Sequence, residues 1–483
     1  MAVPADQAEA AAFLAGLTGE GVAETHISAI YLGPDEALKL KKAVDIGFLD
    51  FTRLAERERL IRREHALNAP HAPGLYLGVE PITRGPDGAL RLGGEGEAVE
   101  WVLRMRRLPP EAFLGDGPLD PALLDPMADA VVALHAAAPH EEGNGDMTRV
   151  ITGNRDAGLA AGLPRERVLE WERAALAAHA ALVPWLAARA AAGFRRRCHG
   201  DLHLGNLCLI EGQPRPFDAL EFDEALATID VGYDLAFLLM DLVARHGRAP
   251  ANRVLNRYLA RTGDVALVRG LPLWLSLRAF IRAHVTARVG QDGMPLLNAA
   301  ASYLDPAPPP RLVAIGGLQG TGKSVLARDL APDLGAAPGA VLLRSDEIRK
   351  RRAGVLPETR LPGSAYAPEE SQAVFAELND LARIALDAGH SVIADAVFQR
   401  ALERDTLAAV CAHFHGIWLE APLDILRRRV AARTGDASDA TIPVLEAAAL
   451  RETGPIAWAR INAMAAPEPV ARKILDLPPL TSP

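Results

Sequence analysis

The stretch Gly317-Leu-Gln-Gly-Thr-Gly322-Lys323-Ser324 constrains this chain more than any other. It fits G-x-x-x-x-G-K-[S/T] in full. An apolar run, Arg311-Leu-Val-Ala-Ile315, leads in, and a helical run, Val325-Leu-Ala-Arg-Asp-Leu330, leads out. Strand, glycine-rich turn and helix in that order let successive backbone N–H groups point inward at phosphate oxygens. The helix N-terminus adds partial positive charge. The spacing predicts a nucleotide site in which Gly317, Gly320, Thr321 and Gly322 form the loop. Lys323 reaches the β- and γ-phosphates, and Ser324 binds Mg²⁺. Short apolar runs at 312–315, 340–343, 391–394 and 416–419 alternate with helical segments. That alternation predicts an α/β domain with a parallel sheet covered on both faces.

Three further features belong to this part of the chain. Asp395 ends an apolar strand, where a carboxylate can hold the metal's water shell or the acceptor. Asp346 follows another strand and is placed to take a proton from a hydroxyl, with Arg349 beside it for an acceptor-side anion. Arg427, Arg428, Arg429 and Arg433 are candidates for a lid that neutralises charge on the transferred phosphoryl group. Three consecutive arginines point in different directions, so only one or two of them can do this.

The clearest boundary is Asp305-Pro-Ala-Pro-Pro-Pro310, whose four prolines make a stiff spacer. The expected division is a first domain over 1–304, a linker over 305–310 and a second domain over 311–483. Within the first, a small β-containing lobe is expected to about residue 105, and a helical lobe over 106–304. Strands are expected at 29–32, 37–41, 75–79 and 100–105, with a helix from about 52 to 67.

His199-Gly-Asp201-Leu-His-Leu-Gly-Asn206 matches H-x-D-L-x-x-x-N, and Asp218 follows twelve residues after Asn206. Phosphoryl transfer uses such a set. Asp201 orients the acceptor hydroxyl, Asn206 and Asp218 hold Mg²⁺, and His199 fixes the loop. The same chemistry asks for an upstream lysine and a glutamate on the next helix. Lys39 and Lys41 share one face of their strand, with Lys39 preferred. Glu64 is the candidate partner, with Glu58 as the alternative. Glu100–Met105 is a candidate hinge for adenine. Glu221, Asp223 and Glu224 either line an acceptor pocket or are surface charge.

On these residues, positions 20–300 resemble the aminoglycoside-phosphotransferase-like branch of the kinase superfamily. That resemblance implies a bilobal α+β fold and a bracing role for Asp230 or Asp234 behind the catalytic loop. The sequence departs from the kinase pattern in one place: no G-x-G-x-x-G precedes Lys39, and Thr25-His-Ile-Ser28 stands there. Residues 311–483 resemble P-loop kinases of the polynucleotide-kinase and zeta-toxin type, which implies that Asp346 is the base. The whole chain resembles a bacterial fusion family that joins these two domains, the second AAA-type.

Composition limits the function classes. Fifty-two Lys plus Arg against sixty-one Asp plus Glu give a net charge of −9. This disfavours general binding to nucleic acids or anionic membranes. Three cysteines without C-x-x-C spacing argue against a disulfide framework or structural zinc. No secretory signal is read at the start, and no segment is read as long enough to span a bilayer, so a cytoplasmic address is expected. The resulting expectation is an ATP- and Mg²⁺-dependent kinase with two nucleotide sites, acting on hydroxyls of small molecules. The alternatives are a nucleic-acid 5′-end kinase, with Arg349–Arg352 gripping a strand, and a nucleotide sensor with a pseudokinase first domain.

Overall fold

The computed structural model describes residues 3–45, 50–115, 117–143, 145–432 and 437–464. They form two compact units, one of residues 1–143 with 189–234, the other of 144–188 with 235–483.

The first unit is built on a six-stranded antiparallel sheet in the order Val22–Glu24, Ser28–Leu32, Glu36–Lys41, Glu97–Arg106, Tyr76–Arg84, Leu90–Leu92. Alternation on Glu36–Lys41 decides what faces what. Leu38 and Leu40 pack with Ala29, Tyr31, Ile82 and Val102 in the apolar core, so Lys39 and Lys41 face the other way. The helix Leu54–Asn68 buries Arg57, Leu60, Ile61, Glu64 and Asn68. Leu54 and Leu67, at helical spacing with Ile61, are only partly buried. The inner face is thus largely polar, which a search for apolar spacing does not see. The candidate hinge at Glu100–Met105 lies inside a strand, paired on both sides from Val102 to Met105 and on one side at Glu100 and Trp101, and the Glu100 carboxylate takes the Arg57 guanidinium at 2.8 Å. From Val102 to Met105 the backbone groups are committed to the sheet, so this stretch is a central strand and not the expected hinge.

The second unit carries a five-stranded sheet, parallel throughout, in the order Val341–Arg344, Val392–Asp395, Leu312–Gly317, Phe414–Glu420, Ala459–Asn462. The fifth strand was not expected from the sequence. The edge strand is capped by the helix Arg248–Thr262. Asn256 accepts the Leu342 N–H at 2.7 Å and donates to the Ala340 carbonyl at 3.1 Å. A side-chain amide here stands in for a missing neighbouring strand. The proline-rich stretch lies within this unit. By length and composition, the helix Arg165–Ala191 is apolar enough to cross a membrane. This corrects the reading that no segment is long enough, which overlooked an alanine-rich window. Within its unit that helix is tied by Trp171 Nε1–H to Ser276 Oγ at 2.9 Å and by His179, which accepts the Met147 N–H at 2.9 Å.

Candidate active sites

In the first unit both lysines of the strand turn toward Glu64, which is fully buried. Lys39 Nζ donates to Glu64 Oε1 and to Asp218 Oδ1, each at 2.6 Å. Lys41 Nζ donates to Glu64 Oε2 at 2.7 Å and to Glu221 at 2.5 Å. Two ammoniums and three carboxylates therefore form one network. Burial alone would lower both lysine pKa values, but the surrounding carboxylates outweigh it and raise them. Glu58 pairs instead with Arg62 on the helix surface.

Exposure separates the two lysines. The Asp218 side chain is 41% exposed, whereas that of Glu221 is 6% exposed. Lys39 faces the open end of the network and Lys41 the closed end. Burial pushes the Asp218 pKa up, but Lys39, with Lys41 behind it, holds it below the ordinary aspartate value. Asp218 has φ of +60°, a left-handed backbone that costs a non-glycine residue about 1 kcal/mol or more. Its neighbours hold it there. The Tyr76 hydroxyl accepts the Asp218 N–H at 3.0 Å, and Asn68 accepts the Ala219 N–H at 2.8 Å.

The catalytic-loop candidates lie in the same unit. Asn206 Nδ2 donates to the Asp201 carbonyl at 2.8 Å and to the Asp201 carboxylate at 3.0 Å. With its amide nitrogen thus used, its oxygen is left as the group for a hard cation, as is the outer face of Asp218. Oxygen ligands of this kind suit Mg²⁺. His199 Nε2–H donates to the Phe217 carbonyl at 2.9 Å, and Nδ1 accepts the Asp201 N–H at 3.3 Å. Burial lowers its pKa despite Asp234 and Asp201 nearby, so the ring stays neutral and ties the two segments together.

Asp234 accepts the backbone N–H groups of His199 at 3.1 Å and Gly200 at 2.8 Å, and it also meets His135 at 3.1 Å. Asp230, the other candidate brace, takes the Arg189 guanidinium through two bonds of 2.6 and 2.9 Å. It lies on a strand paired with Arg195–Arg197 and so has no hold on the loop. His135, Cys198 and Asp234 form a buried trio of metal-ligand types. The Asp234 oxygens already serve the loop.

The remaining expectations resolve locally. Thr25–Ser28 is a tight hairpin turn, closed by Thr25 N–H to the Ser28 carbonyl at 2.9 Å and tethered by buried Lys42 to the Thr25 carbonyl at 2.7 Å. Glu221 is buried against Lys41, Asp223 caps a short helix, and Glu224 pairs with Arg63 and Arg197. None of the three is shown lining an acceptor pocket.

The second unit builds its site around the loop 317–324. Gly317 has φ of +132°, and a Cβ there would lie 2.5 Å from the Leu419 carbonyl oxygen. Gly322 has φ of +88° and faces open space at the start of the helix Lys323–Leu330. Thr321, buried, closes the loop by donating to the Leu318 carbonyl at 2.8 Å. Lys323 Nζ rests on the Gly317 and Leu318 carbonyls at 3.0 and 3.1 Å. Parallel register brings Asp395 beside this loop, and Ser324 Oγ–H donates to Asp395 at 2.6 Å. A hydroxyl and a carboxylate together again fit Mg²⁺.

Arg344, not singled out from the sequence, also enters this corner. It donates to Ser324 Oγ at 3.0 Å, to Asp395 at 3.2 Å and to Glu347 at 2.8 Å. Only its position at a strand end, two residues before Asp346, could have marked it. Burial raises the Asp346 pKa, with Arg344 opposing and Asp395 adding to the rise, which suits a group that takes up a proton.

Arg349 lies one helical turn on. It donates to the Ala365 carbonyl at 2.6 Å and lies over the Tyr366 ring, while its Nε–H is buried without a partner among the described residues. Lys350 pairs with Asp439, and Arg351 and Arg352 pair with Glu377. Arg427 turns away to Glu446 and is half-exposed. Its role as a lid over the loop is not what the geometry shows. On the same helix, Leu423–Ala431, Arg429 is the arginine near the loop, 3.5 Å from the Gly320 carbonyl. Arg433 lies outside the described residues.

Residues 80–271 match the phosphotransferase enzyme family, and residues 312–453 match the AAA domain family. A Mycobacterium tuberculosis protein, Uncharacterized protein Rv2004c, is 30% identical over 471 residues, covering 89% of this chain and 90% of that protein. Among solved structures, a choline kinase from Cryptosporidium parvum is similar with TM-score 0.37 and 12% identity, over 59% of this chain and 88% of its own. A sugar kinase from Janibacter sp. is similar with TM-score 0.27 and 21% identity, over 35% of this chain and 93% of its own. In this chain the phosphotransferase match precedes the AAA match, in the same order as the two sites; the protein is a kinase and belongs to the family of that mycobacterial protein.

Proposed function

We propose that the chain is a kinase with two nucleotide sites, each taking ATP with Mg²⁺ and passing the γ-phosphoryl group to a hydroxyl of a small molecule. The functional domains are then 1–304 and 311–483, joined by 305–310. One observation, made twice, carries this reading. In each unit a carboxylate suited to the metal sits on a cation of the chain, near a second aspartate suited to the acceptor. The sets are Asp218 on Lys39 with Asp201, and Asp395 on Arg344 with Asp346.

In the first site Asp218 and Asn206 would hold Mg²⁺, which would neutralise charge on the phosphates. Lys39, fixed by Glu64, reaches the phosphates. Asp201 orients the acceptor hydroxyl and accepts its proton. In the second site Ser324 and Asp395 would hold Mg²⁺, the loop amides and Lys323 bind phosphate, and Asp346 takes the proton. A small acceptor is supported by the pairing of Lys350, Arg351 and Arg352 with carboxylates and by the net charge of −9, both of which disfavour gripping a nucleic-acid strand.

The test is a screen of a metabolite extract with labelled ATP. Wild type should label acceptors. Asp201→Asn and Lys323→Ala should each remove a different part of that labelling. Labelling unchanged in both variants would refute the assignment of sites.

A further inference from the structure

The corner where Ser324 and Asp395 would hold a metal already contains a cation of the chain. Arg344 and Asp395 are register partners on adjacent parallel strands, so the sheet itself sets the guanidinium beside the carboxylate. Arg344 is 3% exposed, and three of its nitrogens are engaged, by Asp395, Ser324 and Glu347. The hydrogen bonds have a direction. Ser324 gives its proton to Asp395 and accepts from Arg344, so one of its two oxygen lone pairs is taken by the guanidinium. Mg²⁺ binds oxygen at about 2.0–2.1 Å. An ion held by Ser324 and Asp395 would meet the guanidinium against both of these groups, where its positive charge repels a divalent cation. The single charge of Arg344 is meanwhile shared between two carboxylates, Asp395 and Glu347. The first unit repeats the device, with Lys39 on Asp218 at 2.6 Å.

We propose that Arg344 is the resident cation of the P-loop metal corner and keeps divalent ions out until a nucleotide brings them in. The triphosphate supplies the negative charge that the empty loop lacks. Arg344 then exchanges Ser324 for a phosphate oxygen, and Ser324 turns its lone pair to the metal. The metal therefore enters only as the nucleotide complex. This rests on the reading of 317–324 as a Mg²⁺–nucleotide site.

The test is Mn²⁺ binding to the full-length, nucleotide-free protein, followed by the loss of the free Mn²⁺ resonance in electron paramagnetic resonance. Asp395→Asn serves as the reference that lacks the P-loop carboxylate. Wild type and Asp395→Asn should bind Mn²⁺ alike. Arg344→Gln should gain one site, about tenfold tighter or more, and Arg344→Gln with Asp395→Asn should lose it. Arg344→Lys, which keeps a charge, should gain nothing. An Asp395-dependent Mn²⁺ site in the wild type would overturn the proposal, as would no gain in folded Arg344→Gln or a gain in Arg344→Lys. Should Arg344→Gln fail to fold, the comparison of wild type with Asp395→Asn decides. Binding of Mg²⁺ with a non-hydrolysable ATP analogue, and its loss in Lys323→Ala, is measured on the same samples. Failure there sinks the nucleotide-site reading, whereas Mn²⁺ bound without nucleotide sinks only the role of Arg344.

Discussion

Replacing Lys41 with methionine removes an ammonium that is 1% exposed and leaves Glu64 Oε2 and the Glu221 carboxylate facing each other with no cation between them. Both carboxylates are buried, so water cannot take over. Losing one partner of a buried ion pair costs about 3–5 kcal/mol. Lys39→Met leaves Glu64 paired with Lys41, and the other partner of Lys39, Asp218, has a side chain 41% exposed, so solvent screens much of that charge. The expected cost is smaller, about 1–2 kcal/mol. The order for activity is reversed. Lys39 touches the candidate metal carboxylate, and its loss should lower turnover at the first site by roughly 10²-fold or more, while Lys41→Met should leave clear turnover wherever the protein is folded. Hydrogen exchange over residues 36–41 and 54–68 reads the stability locally, and Lys41→Met should speed it by roughly 10²- to 10³-fold. Phosphotransfer in a Lys323→Ala background isolates the first site. At neutral pH both lysines are charged whether folded or unfolded. Their raised pKa values thus contribute in full, and the contribution is lost only as pH rises through the folded values. Equal effects of the two substitutions on exchange, or a Lys41→Met protein that is stable but inactive, would refute the division of labour.

Three further outcomes follow from the same reasoning. Burial raises the Asp346 pKa, so ionised Asp346 opposes folding once pH rises above the ordinary aspartate value of about 3.9. Asp346→Asn should therefore be more stable than wild type at neutral pH, with the gap closing toward pH 4, and should lose transfer at the second site; urea midpoints across pH check this, and a destabilised variant at pH 7 would contradict it. Asp234→Asn should lower first-site turnover by about 10- to 100-fold, the scale for groups that orient others, because two catalytic-loop N–H groups depend on that carboxylate. Asp230→Asn should affect stability more than turnover, measured by the same assay, since its carboxylate holds Arg189.

Much of both sites was legible in the sequence because local spacing encodes it. The loop 317–324 and the pair Asp201 and Asn206 are short-range patterns, and the structure keeps each within one turn or loop. The strand Glu36–Lys41 was equally readable, but its alternation places Lys39 and Lys41 on one face and cannot rank them; only Asp218 and Glu221, about 180 residues away, do that. The choice between Asp230 and Asp234 likewise depends on which carboxylate the helix Val231–His246 turns toward the loop. Arg344 escaped notice because a buried arginine at a strand end has no signature of its own, and its role appears only when Asp395 arrives in register from residue 395. Arg427 illustrates the converse. A run of arginines reads as a lid, yet helical rotation points Arg427 to Glu446 and brings Arg429 to the loop. The inner face of Leu54–Asn68 was obscured because Arg57, Glu64 and Asn68 occupy positions where a hydrophobic pattern expects carbon.

Counting bound nucleotide tests the central claim most directly. Equilibrium dialysis of the full chain against a non-hydrolysable ATP analogue with Mg²⁺ should saturate at two per polypeptide. Lys323→Ala should leave one, Asp218→Asn should leave the other, and the double variant none. Saturation of the wild type at one, with Asp218→Asn unchanged, would contradict the two-site account.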